Sequence, residues 1–204
     1  NILLMLKRVA EPAKIRNKKV HDENQYLNLI NDILVYGIDE TGRNGVARTI
    51  FGSAMHFSLR NEVLPLLTTK KVAYKTCLKE LLWFIKGSTD NKELKSQNVK
   101  IWNDNASREF LDSRGLYENE EDDLGPVYGH QWRHFNAEYT DCKADYSNKG
   151  VDQLKYIIDN LKDPTNRNSR RLVMSAWNPV QLDEMALPPC CLLYTSPSPR
   201  DSVV

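Results

Sequence analysis

The chain has 204 residues, of which 41% are hydrophobic and 27% charged, so its composition is typical of a globular domain and excludes a disordered chain. The net charge of +1 excludes a polycation that coats nucleic acid. No uncharged apolar run approaches the roughly 18 residues that cross a bilayer, so we expect no membrane span. Four cysteines without a Cys-x-x-Cys pair predict reduced thiols rather than a disulfide scaffold.

The two ends of the chain differ from its middle. Residues 1–20 carry six basic side chains against one acidic one, which predicts a basic linker or the end of a preceding domain. Residues 191–204 contain two Ser-Pro steps and no amphipathic period. The stretch from Cys191 to Asp201 resembles the translation of a sequencing adapter, so we predict that this tail is non-native. Residues 21–190 then form the domain proper.

Apolar spacing predicts three helices in this domain. Residues 26–34 follow a helical period and end before Gly37. Residues 72–87 place leucines and an isoleucine on adjoining turns, and Glu80 stands beside their most apolar stretch. Residues 154–161 form a third amphipathic helix, which ends ahead of Pro164.

Two further segments have the pattern of strands. Met55, Phe57 and Leu59 alternate with polar residues, and residues 171–177 form a largely apolar run after a polar turn. Helices and strands are interleaved without a regular βαβ rhythm, which predicts an α+β (mixed α/β) domain. The acidic run at 118–123 has the composition of a solvated loop.

Cys190 follows two prolines, which fix the backbone torsions leading to its thiol group. A rigid approach suits a nucleophile, although a small buried apolar residue is the more common role of a lone cysteine. Arg170 and Arg171 are adjacent, and neighbouring strand residues face opposite ways. Guanidinium groups bind phosphate well, so this pair indicates either a ligand at an interface or a solvated surface pair.

One segment concentrates aromatic rings and polar donors that could stack on a planar ligand and bond its edges, or could equally belong to the core. Its members are Trp102, Asn105, Tyr128, Trp132 and His134. The histidines and cysteines have no metal-ligand spacing, so we expect no metal site.

Nine segments, read together and in order, resemble the thymidylate synthase family. They are Pro65 to Lys71, Glu80 to Thr89, Lys100 to Trp102, Ser107 to Asp112, Asp123 to Gly129, Gln131 to Phe135, Gly150 to Leu154, Ala176 to Pro179 and Met185 to Cys190. The resemblance implies the fold of this family and of deoxycytidylate hydroxymethylase, of which the chain would hold the N-terminal two thirds.

The resemblance also implies a methyltransferase activity of the parent protein. Members convert deoxyuridylate (dUMP) to thymidylate (dTMP), with methylene-tetrahydrofolate as donor of the carbon and the hydride. By match to the family motifs, Cys190 is the nucleophile that adds to position 6 of uracil. Glu80 organises proton transfer, and burial beside its apolar neighbours would raise its pKa. Tyr128 belongs to the network near the thiol, and a cytoplasmic location is expected, with mitochondrial or nuclear ones left open.

The phosphate of dUMP is expected to meet arginines from two chains. Arg170 and Arg171 match the pair that reaches across a homodimer to the partner's nucleotide, which answers the question raised by their opposite directions. Arg43 matches the arginine of a phosphate loop, but the local sequence departs from the family pattern, so Arg48 is a rival.

The folate is expected to meet Lys70, Glu80, Trp102 and Asn105, with Lys70 attracting its acidic tail. Some relatives carry a dihydrofolate reductase domain ahead of the synthase, and the basic residues 1–20 would suit such a fusion without establishing it.

The chain departs from the family pattern after the nucleophile. Cys191 stands where the family has His, and the later segments that bind uracil, sugar and folate are missing. We therefore expect the chain as printed to be inactive and to fold poorly. Two alternatives stay open, namely deoxycytidylate hydroxymethylase of the same fold and a non-catalytic chain that only binds or dimerises.

Overall fold

The computed structural model describes residues 21–42 and 45–190 and the backbone of residues 193–195. The chain divides into two compact units between Tyr74 and Lys75. The predicted linker over residues 1–20 lies outside the described residues, as does nearly all of the predicted tail, so both stay predictions.

In its described residues, the first unit contains an α-helix, a β-hairpin and a short 3₁₀ turn (Arg60–Glu62). Helix α1 (Asn24–Tyr36) confirms the helix predicted over residues 26–34. Strands β1 (Ile38–Gly42) and β2 (Gly45–Thr49) pair antiparallel, with Ile38 opposite Thr49. The glycine between helix and hairpin is needed for space, because a Cβ atom at Gly37 would lie 2.3 Å from the carbonyl oxygen of Ile33.

The strand predicted from Met55, Phe57 and Leu59 is wrong, because residues 53–59 have no regular secondary structure. A strand needs a neighbouring strand to satisfy its backbone, and side chains do this instead. The side chain of Gln25 bonds both the N–H and the C=O of His56, at 2.9 and 2.7 Å. Alternation of polar and apolar residues therefore predicted the extended course but not the pairing.

As far as the structure describes it, the second unit is mainly helical, with one small sheet. Its elements are α2 (Tyr74–Lys86), α3 (Asn91–Ser96), α4 (Arg108–Ser113), α5 (Tyr128–His134), α6 (Gln153–Lys162), β3 (Val173–Ser175), a 3₁₀ turn (Leu182–Glu184) and β4 (Leu193–Thr195). Strands β3 and β4 pair antiparallel. The helices predicted over 72–87 and 154–161 are confirmed, and the mixture of helices with small sheets confirms the predicted fold class.

Helix starts in this unit follow the usual capping chemistry. The Ser107 hydroxyl accepts the N–H of Phe110 at 3.2 Å at the start of α4. The Asp152 carboxylate accepts the N–H of Lys155 at 2.8 Å at the start of α6. These side chains satisfy donors that the first turn leaves unpaired.

The strand predicted over residues 171–177 is shorter than expected. Regular pairing covers only β3, and Arg170 and Arg171 lie in the turn ahead of it. Strand alternation therefore does not set the directions of the two arginines.

Helix α5 lies in the core of the second unit. Residues 128–132 are all buried. A Cβ atom at Gly129 would lie 2.5 Å from the carbonyl oxygen of Ser88, so α5 packs directly against the backbone that follows α2. Around it lie the large apolar side chains of the core, which include Trp83, Leu94, Trp102, Leu111, Leu124, Trp132, Leu172, Met174 and Met185.

The acidic run at 118–123 is not entirely solvated, contrary to the sequence prediction. Asp122 and Asp123 are 5% and 2% exposed. Lys95 forms a 2.6 Å ion pair with Asp122, and Asn91 donates to the same carboxylate at 2.8 Å. Buried carboxylates need such partners, and composition alone does not reveal them.

Across the described ranges, no helix has the length and apolar character that a membrane crossing requires.

Candidate active site

Four residues selected from the sequence form a continuous chain of contacts in the second unit. The indole N–H of Trp102 donates to Oε1 of Glu80 at 2.8 Å. The rings of Trp102 and Tyr128 meet edge to face, with 6.4 Å between their centroids. The hydroxyl group of Tyr128 contacts Cys190. The structure therefore brings together the three predicted catalytic residues and Trp102, which with Glu80 is a predicted folate ligand.

Cys190 is held by Tyr128 at two points. The Cys190 N–H donates to the Tyr128 hydroxyl oxygen at 2.8 Å, and that hydroxyl donates to Sγ of Cys190 at 3.4 Å. A hydrogen bond donated to sulfur favours the thiolate, which is the nucleophilic form. Because Cys190 is exposed, this sulfur is also accessible to a reactant.

The backbone leading to Cys190 is docked on the loop that precedes α5. Ala186 N–H donates to the carbonyl oxygen of Leu124 at 3.0 Å. Gly125 has a φ of +73°, and a Cβ atom there would lie 2.0 Å from the carbonyl oxygen of Glu184. Only glycine fits this close approach, so the loop fixes the course of the segment that carries the thiol.

Glu80 lies on α2 and is half-buried. Burial raises the pKa of its carboxyl group, and the hydrogen bond from Trp102 opposes that shift. The direction agrees with the expectation from the apolar neighbours of Glu80. A carboxyl group whose pKa is raised holds its proton more readily than an ordinary carboxyl group, which suits a general acid or base.

Phe84 was not selected from the sequence, yet its ring lies 4.7 Å from that of Tyr128 and 5.5 Å from that of Trp132. It follows Glu80 by four residues, so both lie on one face of α2. This spacing of four residues is the feature of the sequence from which Phe84 could have been selected. The phenyl ring therefore packs against Tyr128 from the helix that also carries Glu80.

Asn105 lies in the turn over residues 101–106 and is half-buried. The turn is closed by a 2.9 Å hydrogen bond from Ala106 N–H to the carbonyl oxygen of Trp102. Asn105 is thus three residues from the indole that contacts Glu80, and its role toward folate stays a prediction.

Lys70 lies in the first unit and is exposed. The two residues before it are fixed by Glu23, whose carboxylate accepts four bonds of 2.6 to 2.8 Å from the amides and hydroxyls of Thr68 and Thr69. These hydrogen bonds, led by that of the Thr68 hydroxyl, lower the pKa of Glu23 to about 2. Glu23 was not selected from the sequence, although these bonds hold the chain segment directly ahead of Lys70.

Arg48, the rival phosphate ligand, lies in β2 rather than in a loop. It forms a 2.9 Å ion pair with Asp39 and donates to the carbonyl oxygen of Leu34 at 3.2 Å. These bonds would compete with a phosphate. Arg43 lies outside the described residues, so its assignment stays a prediction.

Arg170 and Arg171 are exposed in the turn ahead of β3. The N–H of Arg171 donates to the Ser169 hydroxyl at 3.2 Å, which orders this turn. Exposure is what a contact with another chain's phosphate requires, and their action across a dimer stays a prediction.

Within the part of the chain that the structure describes, no group of three or more His, Cys, Asp or Glu side chains is arranged to hold a metal ion.

The thymidylate synthase family model matches residues 24–199. The chain belongs to the thymidylate synthase family. It is 56% identical over 178 residues to thymidylate synthase from Homo sapiens, covering 85% of this chain and 56% of that protein. It is 54% identical over 171 residues to a bifunctional dihydrofolate reductase-thymidylate synthase from Paramecium tetraurelia, covering 83% of this chain and 36% of that protein. It is also 53% identical over 174 residues to thymidylate synthase from Human herpesvirus 8, with 85% of this chain and 51% of that protein covered. The chain therefore spans between about a third and somewhat over half of the length of these relatives.

Proposed function

We propose that the complete protein containing this chain converts dUMP to dTMP, with methylene-tetrahydrofolate supplying the carbon and the hydride. The observation that carries the proposal is the contact of Tyr128 with both the N–H and the Sγ of Cys190. It supports an accessible thiolate whose position is fixed, as addition to a pyrimidine requires.

The residues of this chain have distinct tasks in that reaction. The Cys190 thiolate adds to carbon 6 of uracil, and the electron pair of the 5,6 double bond moves to make carbon 5 nucleophilic. Carbon 5 then bonds to the one-carbon unit and loses its proton. Glu80 is assigned to proton transfer at the uracil carbonyl. Desolvation raises the pKa of its carboxyl group, which suits this role. The bond between the one-carbon unit and the folate nitrogen then breaks, which leaves a methylene group on carbon 5 and free tetrahydrofolate. Hydride transfer from the tetrahydrofolate to this methylene carbon, with expulsion of the thiolate from carbon 6, gives dTMP and dihydrofolate and regenerates Cys190.

The site has features that fit the folate as well as the nucleotide. The buried Trp102 indole contacts both Glu80 and Tyr128, so a planar ligand stacked there would lie beside the proton-transfer groups. Lys70 and Asn105 are proposed to add contacts to this ligand. Relatives named thymidylate synthase favour this reaction over that of deoxycytidylate hydroxymethylase.

We further propose that the complete protein is a homodimer in which Arg170 and Arg171 bind the partner's dUMP phosphate. Their exposure supports this assignment. A dihydrofolate reductase domain ahead of the synthase is a second proposal, supported by relatives in which both are joined.

The direct test is an assay of dTMP formation by the complete protein and by its Cys190→Ser variant. We expect turnover by the parent and its loss in the variant, while dUMP binding, measured by calorimetry, persists. Turnover by the variant would exclude Cys190 as the nucleophile. Failure of the parent to form dTMP from dUMP and methylene-tetrahydrofolate would exclude the proposed reaction.

A further inference from the structure

Tyr139 lies in the loop between α5 and α6, away from the groups that the proposed reaction uses. Its ring stacks on Tyr146, with 5.6 Å between centroids and 11° between planes, and meets the edge of His130 at 5.1 Å. Its hydroxyl donates to Oδ1 of Asp123 at 2.6 Å and lies 2.8 Å from Oγ1 of Thr89. One hydroxyl group therefore joins two separate segments of the unit.

Thr89 belongs to the segment that follows the helix of Glu80. It is 3% exposed, and its carbonyl oxygen accepts the N–H of Leu124 at 3.2 Å. The preceding carbonyl, that of Ser88, is the atom against which Gly129 packs. The segment after α2 is thus held against the chain around Tyr128. The hydroxyl group of Thr89 connects this segment to Tyr139.

Asp123 belongs to the loop that supports Cys190. It is 2% exposed, and its carboxylate accepts the N–H of Gly125 at 2.9 Å and the N–H of Cys142 at 3.0 Å. Gly125 packs on Glu184, in the segment that leads to the thiol. A buried carboxylate with three donors has little freedom, so its position is transmitted to the loop.

We propose that Tyr139 is a positioning residue for the covalent step. Its hydroxyl group holds the segment behind Glu80 and the loop behind Tyr128 and Cys190 at a fixed spacing. The proposal rests on the proposed roles of Glu80 and Cys190, because reacting groups lose rate when their spacing is relaxed. Loss of the hydroxyl would loosen the donation from Tyr128 to the Cys190 sulfur and so reduce the thiolate fraction.

The first test, made on the complete protein, measures thiol reactivity and needs no turnover. Iodoacetamide labelling of Cys190 is followed by mass spectrometry between pH 6 and 9, with the exposed Cys77 as internal reference. We expect Tyr139→Phe to move the Cys190 profile up by about half a pH unit, which is about threefold in rate at neutral pH. Tyr117→Phe, at a tyrosine that is 70% exposed, is the matched control and should leave the profile unchanged. An unchanged Cys190 profile in folded Tyr139→Phe would overturn the proposal.

A second pair of variants changes Thr89, the partner of the Tyr139 hydroxyl group. It covers the case in which Tyr139→Phe does not fold. Thr89→Val keeps the shape of threonine but has no hydroxyl, whereas Thr89→Ser keeps the hydroxyl. We expect Thr89→Val to shift the Cys190 profile as Tyr139→Phe does, and Thr89→Ser to match the parent. Equal profiles of the valine and serine variants would contradict the proposal.

Steady-state kinetics of the complete protein separate this inference from the proposed function. There we expect Tyr139→Phe to lower kcat by about threefold to thirtyfold with an unchanged KM for dUMP, because positioning acts on the reaction rather than on nucleotide binding. A change confined to KM would overturn the positioning role. If the parent protein formed no dTMP, the proposed function would fail, and the labelling experiment would still decide the role of Tyr139.

Discussion

The hydroxyl group of Tyr128 accepts the backbone N–H of Cys190 at 2.8 Å and donates to its sulfur at 3.4 Å. The same ring packs on Phe84 at 4.7 Å. Tyr128 therefore connects the helix that carries Glu80 with the segment that carries the thiol. Because Tyr128 begins a helix that is buried at the centre of its unit, its hydroxyl has a fixed position.

The first prediction concerns this contact. Tyr128→Phe removes the donor to the Cys190 sulfur, so the pKa of the thiol should rise and its alkylation at neutral pH should slow by about tenfold, the effect of one pH unit. Iodoacetamide labelling against pH measures the shift. The exposed Tyr117→Phe serves as the control. A Cys190 rate equal to that of the parent would show that the hydroxyl does not influence the sulfur.

The second prediction concerns the proton-transfer group. Trp102→Phe removes the hydrogen bond that holds the pKa of Glu80 down against desolvation, so that pKa should rise further. Infrared titration of the carboxyl band reports it, with the band assigned by its loss in Glu80→Gln. Trp177→Phe, at a partly exposed indole, is the control. A lower Glu80 pKa in Trp102→Phe would contradict the electrostatic reading of the pair.

The third prediction is a pH dependence of stability. Burial lowers the pKa of His130 to about 4, below its ordinary value of 6.5. The unfolded chain therefore binds more protons, and the stability present above pH 6.5 is lost as the pH falls towards 4. By linkage the loss reaches about 2 kcal/mol at pH 5.

Urea unfolding of the parent and of His130→Phe between pH 5 and 8 measures this loss. The variant should have the flatter profile, and Ala137 O keeps a donor in Gln181 at 3.0 Å when the imidazole is removed. Burial also lowers the pKa of His134, so some pH dependence should persist in the variant. Identical slopes for the two proteins would contradict the burial of a neutral His130.

The fourth prediction concerns the chain that carries Lys70. The hydrogen bonds from Thr68 and Thr69 lower the pKa of Glu23 to about 2, so their stabilisation is complete above pH 4.5 and is lost as the pH falls towards 2. In Glu23→Gln, hydrogen exchange at the Thr68 and Thr69 amides should be faster at neutral pH. Glu40→Gln, at an exposed carboxylate, is the control. Unchanged protection in Glu23→Gln would mean that these bonds do not order the segment.

The fifth prediction concerns the proposed dimer. A complete protein with Cys190→Ser and another with both Arg170→Ala and Arg171→Ala should each be inactive. After the subunits exchange, half of the chains form mixed dimers with one intact site, so activity should return to about a quarter of the parent value. No recovery, with exchange verified by native mass spectrometry, would contradict action of the arginines across the interface.

Local patterns predicted the three longest of the six α-helices in the described residues. They missed α3, α4 and α5, which are six or seven residues long and too short for an apolar period to recur. In α1, α2 and α6 the apolar residues recur at helical spacing and the ends carry ordinary stop signals, so short-range interactions suffice. The strand at residues 55–59 failed because pairing depends on a distant partner, and the backbone of His56 is bonded by Gln25 instead. Alternation of polar and apolar residues in the sequence does not reveal which partner satisfies the backbone.

The candidate site was predictable only where residues match a family motif. Cys190, Glu80 and Tyr128 were selected in this way, and the structure places them together. Asp123 and Tyr139 were missed because, from the sequence alone, an acidic run and a tyrosine in a loop are expected to be exposed to solvent. The burial of Asp123 and the partial burial of Tyr139 arise from contacts between distant segments, such as that of residue 89 with residue 139, which only the folded chain reveals.

The most direct measurement uses 5-fluoro-dUMP, in which fluorine replaces the hydrogen that must leave carbon 5 as a proton. Addition of the thiolate and attack on methylene-tetrahydrofolate can proceed, but fluorine cannot leave as a cation, so the covalent complex should persist. Mass spectrometry of the complete protein should find the nucleotide and the folate on the peptide that contains Cys190. An adduct on Cys77 or Cys142 instead, or no adduct from protein that binds the nucleotide, would contradict nucleophilic catalysis by Cys190.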